Sequence, residues 1–125
     1  MKVHKFRIDG RTFDAVMSMK VVKQMAALAG DDENGAPLDI NEIMRRAGQS
    51  ASVGQTLVLM IREGERLAGR ECEIDEAWIE ERTTPGEAAA MQRRVLAIMV
   101  EAMKMETMDG EDVEVDEVLE DIQKK

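Results

Sequence analysis

With 125 residues, 44% of them apolar and 34% charged, the chain has the make-up of one globular domain with one core and not of a disordered or fibrous protein. A formal charge of −9 argues against gripping phosphate backbones, so nucleic acid is not an expected partner. No run approaches the roughly 18 apolar residues of a membrane span, and the opening MKVHKFRIDG lacks the apolar stretch of a secretion signal. The expected location is therefore the cytoplasm, and a lone Cys72, which has no second cysteine to pair with, suits a reducing compartment.

The first element is spelled FRIDGRTFDA, Phe6 to Ala15, which holds both phenylalanines of a chain with one Trp and no Tyr. Asp9-Gly10 supplies positive φ at both centres of a tight type I′ turn between alternating apolar and polar residues, which predicts a β-hairpin. A two-residue loop sets Phe6 opposite Phe13 on one face and Arg7 opposite Thr12 on the other. Because an isolated hairpin is marginal in water, the two rings are expected to cap a helical core.

Helical spacing of Met17, Val21, Val22, Met25, Leu28 and Ala29 predicts a first helix over residues 19–29, with Ser18 as N-cap and Gly30 just past its end. DDENGAP reads as a loop. Asp39 and Glu42 stand in capping-box register before a short second helix closed near Gly48, and Ser52 with Gln55 repeat the pattern for a third. That third helix carries Val53, Leu57, Met60, Ile61, Gly64, Leu67 and Ala68 as one stripe, widened by Val58 and Leu59, and is expected to be the central core helix. EIDEAWIEER gives a short helix bringing in Trp78. Thr84, Pro85 and Glu87 then mark a helix start by N-cap, first-turn proline and capping box, and this helix is expected to run to about Thr107, roughly 34 Å.

The predicted architecture is mainly α: a single helical domain of four to five helices with an N-terminal β-hairpin over residues 1–107, followed by an acidic C-terminal tail over 108–125. From Glu106 onward nine carboxylates face only Lys124 and Lys125, a net of −7 that leaves −2 for the preceding 105 residues. Such a tail is expected to be mobile or loosely helical, and serves either as a solvated end or as a docking element. Within it Val115, Val118, Leu119 and Ile122 recur at i, i+3, i+4 and i+7.

No chemistry is spelled out. His4 has no second His or nearby Cys to make a zinc site, no glycine-rich loop follows a strand, and the carboxylates of GEDVEVDE lie in a stretch too polar to raise their pKa. An enzyme is not expected, and neither is a cofactor or a metal. Eleven methionines allow two readings: flexible filler in a core poor in aromatics, or an adaptable face for another protein's helix. On the second reading the candidate partner-binding residues are Met99, Met103 and Met105 with Val115, Val118, Leu119 and Ile122.

A hairpin of the form F-x-I-D-G-x-x-F, a helix ending in AALAG, a polar loop, a helical bundle and a highly charged C-terminus together resemble the tail assembly chaperones of long-tailed bacteriophages and prophages. The likeness is one of layout across nearly the whole chain, with FRIDGRTF and AALAG its residue-level part. It implies a cytoplasmic helper that binds the tape measure protein and tail tube subunits during virion assembly, with self-association left open. In that family a frame shift near the end of the short product commonly adds a second domain, and Lys124-Lys125 offers one place for it, although two cations also complement a preceding helix dipole. The alternative is an acidic helical adaptor or DNA mimic for a basic protein.

Overall fold

The computed structural model describes residues 1–49 and 52–104. Strands β1 (His4–Ile8) and β2 (Arg11–Ala15) form a two-stranded antiparallel sheet. Asp9 at φ 52° and Gly10 at φ 79° make the turn, and the register pairs Phe6 with Phe13 and Arg7 with Thr12, as the two-residue loop requires. Both rings are buried, while Arg7 and Thr12 face solvent.

Five helices follow: α1 (Met19–Ala29), α2 (Ile40–Ala47), α3 (Val53–Leu67), α4 (Glu76–Glu80) and α5 (Pro85–Met103). Most starts follow the sequence signals. The side chains of Ser18, Asp39, Asp75 and Thr84 accept from Val21, Glu42, Trp78 and Glu87 N–H groups, and at α5 the Glu87 carboxylate returns the bond to Thr84 N–H at 2.8 Å. Gly30, at φ 80°, ends α1 and donates to Ala26 C=O. The expected Ser52 cap does not form. Ser52 already has helical ψ, −13°, and its N–H donates to Gln49 C=O at 2.8 Å, so the chain turns into α3 without the extended cap residue that places a side-chain oxygen over the first turn. α5 is also shorter than predicted, its last residue being Met103, with the Lys104 cap extended at ψ 131°.

The core forms where the hairpin lies across α3. Leu57, Met60 and Ile61 from α3, Phe6, Ile8 and Phe13 from the hairpin, Val21 and Met25 from α1 and Val95 from α5 are all at most 3% exposed. Phe13 meets Trp78 edge to face at 5.7 Å, a favoured aromatic geometry. Gly64 lets the two elements touch: a Cβ there would stand 2.5 Å from Asp14 O. Val16 N–H donates to Met60 C=O at 3.1 Å, fastening the chain just after β2 onto α3. The predicted stripe of α3 stops short, since Leu67 is 52% exposed and Ala68 is exposed, both lying beyond the close approach at Gly64. The smaller helices are tied in by polar bonds to backbone: Thr56 Oγ1 donates to Ala47 C=O, Arg46 to Ala29 C=O, and Arg62 to Ile74 C=O.

Candidate functional site

α5 is the element with the least of its surface committed. Its capping box and first-turn proline fix the start, and Ala88, Ala89 and Ala90 continue it in residues of the highest helix propensity. Yet of its 19 residues only Val95, Ile98 and Met99 are buried. Met91 and Met103 are half-buried against the core. On the opposite side Ala89, Arg93, Leu96, Ala97 and Val100 follow one another at helical spacing and all face solvent, with Leu96 40% and Val100 63% exposed. A nearly charge-free helix face left in water is the usual mark of an interaction surface.

The neighbours of α5 hold it in place and cover that face only at one edge, where the end of α2 meets Leu96. Arg94 lies 4.0 Å above the Phe6 ring and donates to Lys5 C=O at 2.7 Å, linking α5 to β1. Gly48, at the end of α2, comes close enough that a Cβ on it would sit 2.6 Å from Leu96 Cδ2. Lys2 and Glu101 pair at 3.5 Å with both side chains more than half exposed, an arrangement that contributes little.

Of the residues predicted to bind a partner, Met99 is 4% exposed and belongs to the core, as the filler reading of the methionines has it, and Met103 is half-buried at its margin. Met105, Val115, Val118, Leu119 and Ile122 lie outside the described residues. Leu96 and Val100 went unread in the sequence. Their signal was present: they stand one and five residues after Val95, roughly 100° and 140° around the helix from it.

Two further clusters bear on chemistry. A cleft of about 280 Å³ opens between β1 and the first half of α5, lined by Phe6, Arg7, Arg82, Glu87, Met91 and Arg94. Its arginines are largely committed: Arg94 as above, and Arg82 over Trp78 at 4.4 Å and 3.8 Å from Asp9. The second cluster clasps the hairpin to α3. Glu65 accepts from Asp14 N–H at 2.8 Å and from Arg70 Nε at 2.9 Å, and Arg70 also reaches Asp14 at 2.9 Å. The Arg70 guanidinium holds the Glu65 carboxyl below its usual range, against the effect of burial and with help from Asp14 N–H. Asp14 is lowered chiefly by Lys5 and then by Arg70. Glu63, beside it on α3, is lowered by Arg66 and Lys20. Every one of these carboxylates is ionised and paired, which suits a fastening and not proton transfer.

His4 is pushed below its ordinary pKa by burial and by Lys2, and Cys72 is half-buried at the edge of the core. Among the described residues no group of three or more His, Cys, Asp or Glu side chains is placed to hold a metal ion, and no helix is long and apolar enough to cross a membrane. No family model matches the chain, and no curated protein or solved structure does either.

Proposed function

We propose that the chain is a tail assembly chaperone of a long-tailed bacteriophage or prophage, which binds the tape measure protein and tail tube subunits in the host cytoplasm and carries out no catalysis. The observation that carries this reading is α5: a firmly capped helix that leaves Leu96 and Val100 in water. A rigid body made of the hairpin and α3 presents this helix, and an apolar helical partner, such as a long tape measure protein supplies, seats on it through side chains at i, i+3, i+4 and i+7. The excess of negative charge keeps a protein with an uncovered apolar face soluble through self-repulsion. The FRIDGRTF hairpin and the AALAG helix end add the likeness of layout.

The test is co-expression of the tagged chain with the tape measure and tube proteins encoded beside its gene, followed by capture. Leu96→Asp with Val100→Asp, and separately Leu119→Asp with Ile122→Asp, are each expected to reduce capture at least tenfold while leaving the thermal melt of the body unchanged. Capture undiminished in both variants, or no capture by the parent chain, refutes the reading.

A further inference from the structure

We propose that the open edge of β1 takes an extended acidic peptide as a third strand, with a carboxylate of that peptide opposite Arg7. The inference stands apart from the chaperone reading, since it concerns the cleft between β1 and α5 and not the outer face of that helix.

The register of the hairpin decides which backbone groups point away from the pair. Across a two-residue turn Ile8 and Arg11 exchange both ladder bonds, and so in turn do Phe6 with Phe13 and His4 with Ala15. Lys5, Arg7, Thr12 and Asp14 therefore turn their N–H and C=O groups outward. On the β2 side that edge is fastened to α3, through Asp14 N–H to Glu65 and Val16 N–H to Met60 C=O. On the β1 side Lys5 C=O accepts from Arg94. The N–H and C=O of Arg7 and the N–H of Lys5 have no hydrogen-bond partner among the described residues, and Arg7 lines the cleft of about 280 Å³. A row of open ladder groups is a template for another strand, and the space beside it equals that of roughly nine waters at about 30 Å³ each.

Charge selects the occupant. Arg7 is exposed and its guanidinium has no ion pair among the described residues, whereas Lys5 is held by Asp14. A second copy added edge to edge would set Arg7 and Lys5 against the same cations of its partner, which is unfavourable. A carboxylate opposite Arg7 is favourable by the same rule. The residues on either side of that acid point to the inner face of the sheet, where half-buried Met91 and exposed Ala90 line the cleft. The pattern that fits is therefore apolar, acidic, apolar in an extended chain whose backbone pairs with β1. Stacking at 4.0 Å on Phe6 fixes Arg94 beside this edge, and its bond to Lys5 uses one of five N–H donors, leaving others for a carbonyl of the incoming chain.

The experiment titrates the isotope-labelled full chain with a capped peptide, acetyl-Thr-Val-Glu-Val-Thr-amide, and follows amide resonances of residues 5–8 and 87–94. Saturable shifts are expected there, with the Arg7 N–H moving downfield and gaining exchange protection as it enters a ladder. Methylating the backbone nitrogen of the peptide's glutamate removes the donor to Arg7 C=O and is expected to weaken binding about tenfold. Arg7→Glu is expected to weaken it about fivefold, and a peptide with lysine in place of glutamate to bind that variant as the original binds the parent. Because Arg7 is exposed, the thermal melt of the variant is expected to match the parent. No saturable shift up to millimolar peptide overturns the proposal. So does binding that N-methylation or Arg7→Glu leaves unchanged, or that an equal concentration of inorganic phosphate displaces, since the cleft would then hold an anion and not a strand.

Discussion

Replacing Gly64 by Ala sets two physical effects against each other at one methyl group. In an ordinary helix interior the change is stabilising by about 1 kcal/mol, because glycine loses more backbone freedom on folding. Here the new Cβ would meet backbone, 2.5 Å from Asp14 O, 2.6 Å from Asp14 C and 2.7 Å from Ala15 N. Neither a backbone carbonyl nor a helix axis gives way as a side-chain tip does, so β2 must back off by close to an ångström to reach ordinary contact near 3.4 Å. That displacement stretches the Asp14 N–H bond to Glu65 and the Val16 N–H bond to Met60, now 2.8 and 3.1 Å, past useful range. Each lost bond costs about 0.5–1.5 kcal/mol and overpacking about 1–3 kcal/mol. After the propensity gain the net loss is about 1–5 kcal/mol, the middle of that range being roughly 10 °C in melting temperature for a domain of this size. Urea and thermal unfolding of Gly64→Ala measure it, with Gly86→Ala as control, since a Cβ there meets nothing closer than Thr84 Oγ1 at 4.0 Å. The control is expected to gain a few tenths of a kcal/mol or more. A Gly64→Ala protein as stable as its parent would refute the close approach of hairpin and helix.

Leu57→Ala, at 2% exposure in the centre of α3, is expected to lose about 2–5 kcal/mol in the same melts. Thr84→Ala removes one half of the α5 capping box and is expected to cost about 0.5–2 kcal/mol, read in urea unfolding and in faster amide exchange over the first turn. Because Glu65, Glu63 and Asp14 all titrate below their unfolded values, the stability they contribute is present above the ordinary carboxylate range and is lost as pH falls through their folded pKa values. Arg70→Ala lets Glu65 take up its proton at higher pH, so the midpoint of acid unfolding, followed by circular dichroism, moves to higher pH. An unmoved midpoint would contradict the clasp.

Local signals carried far in this chain where they stood alone. Asp9-Gly10 dictated the hairpin register because a two-residue loop leaves one pairing that buries both phenylalanines. Thr84-Pro85 located the start of α5 because Thr84 is extended, at ψ 164°, which places its side-chain oxygen over the Glu87 N–H. Ser52 misled because a cap also depends on how the chain arrives: its own backbone is already helical and its N–H is tied to Gln49 C=O. The buried pair Glu63 and Glu65, 6% and 5% exposed, was illegible, since REGER reads as a solvated helix end until a strand is laid over its glycine. Of the candidate surface only Met99 and Met103 lie among the described residues, and both pack on the core. Periodicity finds the stripe that faces the core, and the methionines drew attention to that stripe; which of the other faces remains bare depends on where the neighbouring helices stop.

The clasp and the Arg94 bond also set a timetable for synthesis. Asp14 and Glu65 are 51 residues apart in the chain, and Lys5 and Arg94 are 89 apart. At about 5–20 residues per second, the hairpin emerges roughly 3–10 s before the helix that shelters its rings, and the outer side of β1 waits roughly 4–18 s for α5. Two strands alone are marginal in water, so the first-made part of the domain spends that interval unprotected and becomes stable only when the middle and then the last helix arrive. A chain that has emerged only as far as Gly64 therefore lacks the clasp that holds its hairpin, and one that has emerged past Leu67 but not yet to Arg94 lacks the donor for its Lys5 carbonyl.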